Sequence, residues 1–151
     1  MAMAMNGYET HNGRYRDPDA TEDAKTYSMF MHIVSALFVI DISGVLLLIA
    51  TLVMWLLRRK GSSFIDDHGR EVVNFQISLY ILAIAGVIAL VVFSVVTLGV
   101  GAVIAAPLGI AGVVFLWILR LIGTIRGAIA AYKGEIYRYP MSIRVIPEPA
   151  H

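Results

Sequence analysis

The chain has 151 residues, of which 58% are hydrophobic and 15% charged, and its formal net charge is +1. Soluble domains usually carry about 25% charged residues, so the composition indicates one small all-α integral membrane domain. The lack of cysteine excludes disulfides, thiol catalysis and cysteine-bound metal centres, and the balanced charge argues against nucleic acid as a partner.

The first 26 residues are polar and lack the apolar core of a signal peptide, so they are predicted to form a disordered tail. A membrane domain is expected over 27–146, followed by a short tail at 147–151. Ser28, His32 and Ser35 recur at helical spacing on one face. The pattern predicts a helix at 27–38 that lies in the membrane interface.

The first apolar run covers 29–57 and contains a single charge, Asp41. It predicts a transmembrane helix at about 40–57, which ends at Trp55 and the basic residue Arg58. One long tilted helix is the alternative. Asp41 would lie near the far interface, where it caps the helix or reaches headgroup water; an intramembrane functional carboxylate is the competing interpretation.

A charged segment at 58–76 separates the two apolar runs and is predicted to be a loop. Asp66, Asp67 and His68 have the chemistry of metal ligands, but adjacent side chains diverge, so helix capping is the preferred interpretation. Arg70 is expected to pair with one of these acids or with a lipid phosphate. At the end of the segment, Asn74 and Gln76 are predicted to bind the C-terminal arm.

The second apolar run, 77–119, has 43 residues without a charge. A straight helix of that length would measure about 65 Å, twice the hydrocarbon core, so the chain must turn back. The glycines of 97–101 mark the turn and divide the run into spans at about 75–96 and 102–120. Pro107 is expected to kink the second span, and Trp117 to mark the same interface as Trp55.

After the last span the helical pattern continues to Lys133, and Gly134 supplies a C-terminal cap. Hydrophobic and polar residues then alternate, which predicts a short amphipathic arm. Basic residues concentrate in the 58–71 loop and at the C-terminus, so both are predicted to lie in the cytoplasm of a bacterium, with the N-terminus outside. A four-segment topology with both ends inside is the alternative.

Several separated motifs follow one another along the chain: His32, Trp55, Arg58, Asp66–Gly69, Asn74–Gln76, Gly134, Tyr137, Arg138, Tyr139 and Pro140. In these motifs and their order the chain resembles a family of small bacterial multi-pass membrane proteins of unknown function, related to the Tic-twenty-like component of chloroplast protein import. One departure is the segment 41–44, where a proline-containing break would be expected. The resemblance implies several membrane helices and no established enzyme activity.

No nucleophile, cofactor fingerprint or metal-ligand spacing stands out, so we predict a non-enzymatic protein without catalytic residues, cofactor or metal. The favoured function is an accessory or scaffold subunit that binds lipids and other membrane proteins or associates with itself. A transport or translocation component that acts as an oligomer is the alternative. Small residues four apart, such as Gly123 and Gly127, would let helix backbones approach closely.

Overall fold

A computed structural model describes residues 9–11, 14–37 and 44–147. Within these ranges the chain forms four helices and one small antiparallel ribbon, which confirms the all-helical fold class. Asp41 lies outside the described residues. The elements are β1 Glu9–His11, β2 Arg14–Arg16, α1 Glu22–Ala36, α2 Val45–Arg58, α3 Ser63–Val96 and α4 Ala102–Tyr132.

Two long helices, α3 and α4, form a hairpin that is the longest feature of the molecule. Both are long and apolar enough to cross a membrane. They are joined by a tight turn at 97–101, where Leu98 and Gly99 have positive φ values of 52° and 88°. The predicted turn and the two helix ends beside it are therefore confirmed, and α4 continues through Pro107.

The start of α3 differs from the prediction, because the charged segment is largely helix. α3 begins at Ser63, and the Ser62 hydroxyl caps it by accepting a hydrogen bond from the Ile65 amide at 3.4 Å. The prediction that Asp66 or Asp67 is the cap is therefore wrong. Several of its polar side chains are buried in the bundle instead, and Asp67, Glu71 and Asn74 have partners more than sixty residues away in the chain.

The predicted first span corresponds to α2, which has only 14 residues in the described part of the chain. Its length of about 21 Å is less than a hydrocarbon core of about 30 Å, so a third span is not shown. Trp55 is not an interface marker. It is 4% exposed and packs against Gly69 of α3, where an added Cβ would collide with the indole ring.

The first helix, α1, begins at Glu22, earlier than predicted, and Thr21 caps it by accepting from the Ala24 amide at 3.2 Å. The predicted polar face of Ser28, His32 and Ser35 is present, but it is fully buried. The helix packs against the other three helices rather than lying alone in the interface. Residues 14–26 of the predicted tail form β2, a turn and the start of α1.

Both ends of the described chain lie at the same end of the bundle. Asp23 Oδ2 is 2.7 Å from Arg58 Nη1, beside the turn between α2 and α3. The Ile136 amide donates to the Tyr15 carbonyl at 2.8 Å, which joins the ribbon to the C-terminal arm. These contacts bring Tyr15 and Asp23 together with Ile136 and Arg58, so the structure does not support the prediction that the N-terminal part lies across the membrane from the 58–71 segment.

Candidate functional site: a buried polar cluster

Four polar side chains of α3 lie on one helical face and form what we call the polar stripe: Asp67, Glu71, Asn74 and Ser78. Their spacing of four, three and four residues places them one above another on the helix. All four are buried, in a molecule whose apolar core is small. Each of them holds a group of the C-terminal arm, residues 135–147.

The lower half of the polar stripe binds the arm through two carboxylates. Arg138 donates to both oxygens of Asp67, at 2.5 and 2.7 Å, in the bidentate geometry that makes such pairs strong. The Tyr139 amide donates to Glu71 Oε1 at 2.8 Å. Glu71 therefore satisfies a backbone donor that is buried together with the Tyr139 side chain.

The upper half of the polar stripe binds backbone groups further along the arm. Asn74 donates to the Ile146 carbonyl at 2.9 Å and accepts from the Ile146 amide at 2.8 Å. Ser78 Oγ accepts from the Ile143 amide at 2.7 Å. The backbone of the arm is irregular, and Met141 has a positive φ of 61°. Met141 and Val145 are both exposed, so the arm does not show the predicted alternation of a buried apolar side and an exposed polar side.

A chain of side-chain hydrogen bonds crosses the bundle beside the polar stripe. His32 Nδ1 is 2.7 Å from the Tyr139 hydroxyl, and His32 Nε2 is 2.9 Å from His68 Nδ1. His68 Nε2 is 3.1 Å from the Glu135 carbonyl, which can only accept. In this network each neutral imidazole therefore carries its proton on Nε2, and the Tyr139 hydroxyl donates to His32 Nδ1.

Burial favours the uncharged forms of two members of this network that lie outside the long helices, His32 and Tyr139. Loss of water around His32, with the neighbouring His68 as a smaller cause, holds the pKa of its imidazole well below the usual range. Burial is also the main cause that raises the pKa of the Tyr139 hydroxyl. Both groups therefore remain neutral at neutral pH, as the direction of the hydrogen bonds requires.

Small residues of α4 make room for this chain of hydrogen bonds. A Cβ added at Gly127 would overlap the His32 ring, and one added at Gly123 would lie 2.8 Å from the Tyr139 ring. Tyr139 also stacks on Phe75, with ring centroids 4.0 Å apart. The glycines four residues apart therefore accommodate side chains of α1 and the arm.

Two further polar contacts attach α2 to α3. Asp66 accepts from Trp55 Nε1 at 2.8 Å and pairs with Arg70, as expected for one of these acids. Gln76 donates to the Thr51 hydroxyl at 3.1 Å. Of the two residues expected to bind the arm, Asn74 does so and Gln76 binds α2 instead.

Arg120 has a role that the sequence reasoning missed. Its Nε donates to the Ser35 carbonyl at 2.8 Å, in the last turn of α1, which has no basic residue of its own. A cation at a helix C-terminus satisfies free carbonyls and opposes the helix dipole. His32, Glu71 and Ser78 were also absent from the predicted site, although the spacing of the polar stripe was visible in the sequence.

The polar side chains of the cluster bind other groups of the same chain. Both nitrogens of His68 are used, by His32 and by the Glu135 carbonyl, and Asp67 is occupied by Arg138. Among the described residues, no three His, Asp or Glu side chains are placed to hold a metal ion together. The arrangement therefore fastens α1, α3 and the arm to one another.

Comparison with protein families gives one finding. The family model described as the magnetosome magnetite crystal formation protein family matches residues 23–146. The curated proteins and the solved structures give no match to the chain. The match supports the resemblance to a bacterial membrane-type family, whereas a relationship to the chloroplast import component finds no support.

Proposed function

The chain belongs to the magnetosome magnetite crystal formation protein family, and from that premise we propose that it is a membrane-anchored, non-enzymatic accessory protein in magnetite formation. The observation that carries this proposal is the division of the molecule into two parts. One is an apolar hairpin. The other is a bundle whose buried polar stripe binds the C-terminal arm of the same chain.

The hairpin supplies the anchor. Beyond Ser78 and before Arg120, α3 and α4 expose apolar side chains on nearly every turn, and Leu98 at the turn is 93% exposed. Eighteen residues of helix measure about 27 Å, close to the thickness of a hydrocarbon core. Tyr80, Trp117 and Arg120 meet at the base of the hairpin, which suits the aromatic and basic belt of a membrane interface.

Two spans explain the polar contacts better than three. With α2 as a third span, the beginning of α1 would lie across the membrane from Arg58, yet Asp23 is paired with that residue. We therefore place α2 beside the bundle, where its exposed Leu46, Ile49 and Leu57 offer an apolar surface. This surface is the proposed contact for another membrane subunit or a second copy.

The positive-inside rule gives an orientation. All twelve lysines and arginines lie outside the apolar part of the hairpin, residues 79–119, which includes its turn. We therefore place the bundle and both ends of the chain on the cytoplasmic side of a bacterial membrane. The groove between α3 and α4 is lined by apolar residues such as Leu82 and Leu108, so this groove offers no polar path to a transported solute.

Gene deletion and complementation in a magnetite-forming bacterium test the function. Loss of the chain should change the number or size of the crystals seen by electron microscopy, and the wild-type chain should restore them. A His68→Gln variant should complement in proportion to the amount of protein found in the membrane fraction, because the imidazole fastens the fold and does not perform a reaction.

Two results would contradict the proposal. Unchanged crystals in the deletion strain would remove the link to magnetite formation. A His68→Gln protein with normal amount and normal thermal stability that fails to restore crystals would indicate that the imidazole takes part in chemistry.

A further inference from the structure

A basic cleft lies beside the C-terminal half of α4, outside the polar cluster. It has a volume of about 490 Å³. Its lining is partly charged and partly apolar. The charged residues are Arg14, Arg126, Lys133 and Glu135, and the apolar ones include Ile129 and Ile136.

The cleft carries positive charge that the protein itself does not neutralise. Arg14 is paired with Glu135 at 2.7 Å. Arg126 and Lys133 are exposed and seven residues apart, so they lie on the same face of α4, two turns from each other. Within the described part of the chain, neither side chain has a hydrogen-bond or ion-pair partner. Two cations beside one cleft favour an anionic ligand.

The position of Arg126 relative to the hairpin indicates where that anion comes from. Arg126 follows Arg120 by six residues, or about 9 Å along the helix. Headgroup regions add about 5–8 Å on each side of the hydrocarbon core. Helical side chains lean toward the N-terminus of their helix, which for α4 is the hairpin side. The guanidinium of Arg126 is therefore directed at the level of lipid phosphates.

An apolar strip connects the cleft with the surface of the hairpin. Ile122, Ile125 and Ile129 are each about half exposed and follow one another along α4, directly after the exposed Ile118 of the hairpin. The exposed apolar surface thus continues past Arg120 and ends at Ile129, which lines the cleft. A ligand with a charged head and an apolar body matches this combination.

We infer that the cleft binds the phosphate group of an anionic phospholipid, with Arg126 and Lys133 as its cationic contacts and with Ile122 and Ile125, on the hairpin side of Arg126, against the acyl chains. This inference rests on the proposed membrane anchoring and deepens it by naming the lipid class and the residues. Free phosphate shares the charged chemistry but has no apolar part to occupy the strip.

Lipid binding to the purified full-length chain in a neutral detergent tests the inference. Fluorescent phosphatidylglycerol should bind about tenfold or more tightly than phosphatidylcholine with the same label, because basic residues near a membrane attract anionic lipid. The Arg126→Gln/Lys133→Gln variant should lose most of that preference. Arg59→Gln/Lys60→Gln, which removes two bases from the turn after α2, is the matched control and should keep it.

Three outcomes would overturn the inference. An equal loss in both double variants would show a general charge effect without a site. Displacement of the labelled lipid by millimolar inorganic phosphate would assign the cleft to free phosphate. A chain that remains in the membrane fraction but shows no preference for phosphatidylglycerol would remove the cleft as a lipid site, while the proposed anchoring would stand.

Discussion

At the scale of single residues, the absence of a side chain at Gly127 controls how closely α1 approaches α4. The buried His32 ring occupies the space that a Cβ would need. This contact joins residues almost a hundred positions apart, so the local sequence could not predict it. The spacing of Gly123 and Gly127 indicated a close approach, but it did not identify the elements that approach.

We expect Gly127→Ala to lower the free energy of unfolding by about 1–3 kcal/mol, because the new methyl group must displace the His32 ring from its hydrogen bonds. Thermal unfolding in detergent, followed by circular dichroism, measures the change. Gly112→Ala in the same helix is the matched control, since its Cβ would meet nothing within 4 Å. Equal stability of the two variants would show that the His32 contact does not limit the packing.

At the scale of elements, the sequence predicted the hairpin well and the start of α3 poorly. The hairpin follows from length alone, because an uncharged run twice the membrane thickness must turn, and two glycines lie at its middle. The charged segment looked like a loop because its polar residues lacked visible partners. Those partners lie in the arm, such as Arg138 for Asp67, and no local pattern indicates a pairing over seventy residues.

The polar stripe should determine whether the arm stays bound to α3. We expect Glu71→Leu to destabilise the chain by about 1–3 kcal/mol, because the buried Tyr139 amide loses its acceptor. Trypsin should then cleave after the exposed Arg144 faster than in the wild type. Limited proteolysis followed by mass spectrometry of the C-terminal fragment measures this release.

Glu71→Gln is the control for this variant, because its amide oxygen still accepts a hydrogen bond from the Tyr139 amide. It should keep the arm substantially more resistant to trypsin than Glu71→Leu does. If both variants release the arm equally, the carboxylate charge rather than the hydrogen bond holds it. If neither does, the other members of the polar stripe are sufficient.

At the scale of the whole molecule, the two tryptophans show why the predicted topology finds no support in the structure. Each stands three residues before an arginine, so both were assigned to the same interface. Trp55 packs on Gly69, whereas Trp117 lies beside Tyr80, and these α3 residues are about 16 Å apart along the helix. Only Trp117, with 47% exposure, is placed to meet lipid. Burial of Trp55 depends on tertiary packing that the sequence motif does not contain.

The two-span topology predicts which parts of the chain are accessible from outside the cell. Because the chain has no cysteine, each single cysteine variant provides one labelling site. In spheroplasts that express the protein, a membrane-impermeant maleimide should label Val100→Cys at the hairpin turn. Lys60→Cys and Asp19→Cys should react only after the membrane is permeabilised, because both positions belong to the bundle end.

Asp19→Cys discriminates between the topologies, because a third span through α2 would place this position outside together with the hairpin turn. Labelling of Asp19→Cys and Val100→Cys, with Lys60→Cys protected, would therefore restore the three-span arrangement and contradict the Asp23–Arg58 contact. Labelling of Lys60→Cys and Asp19→Cys, with Val100→Cys protected, would reverse the orientation. Since all twelve basic residues lie outside the apolar part of the hairpin, residues 79–119, reversal would require the whole positive charge of the chain to cross the membrane.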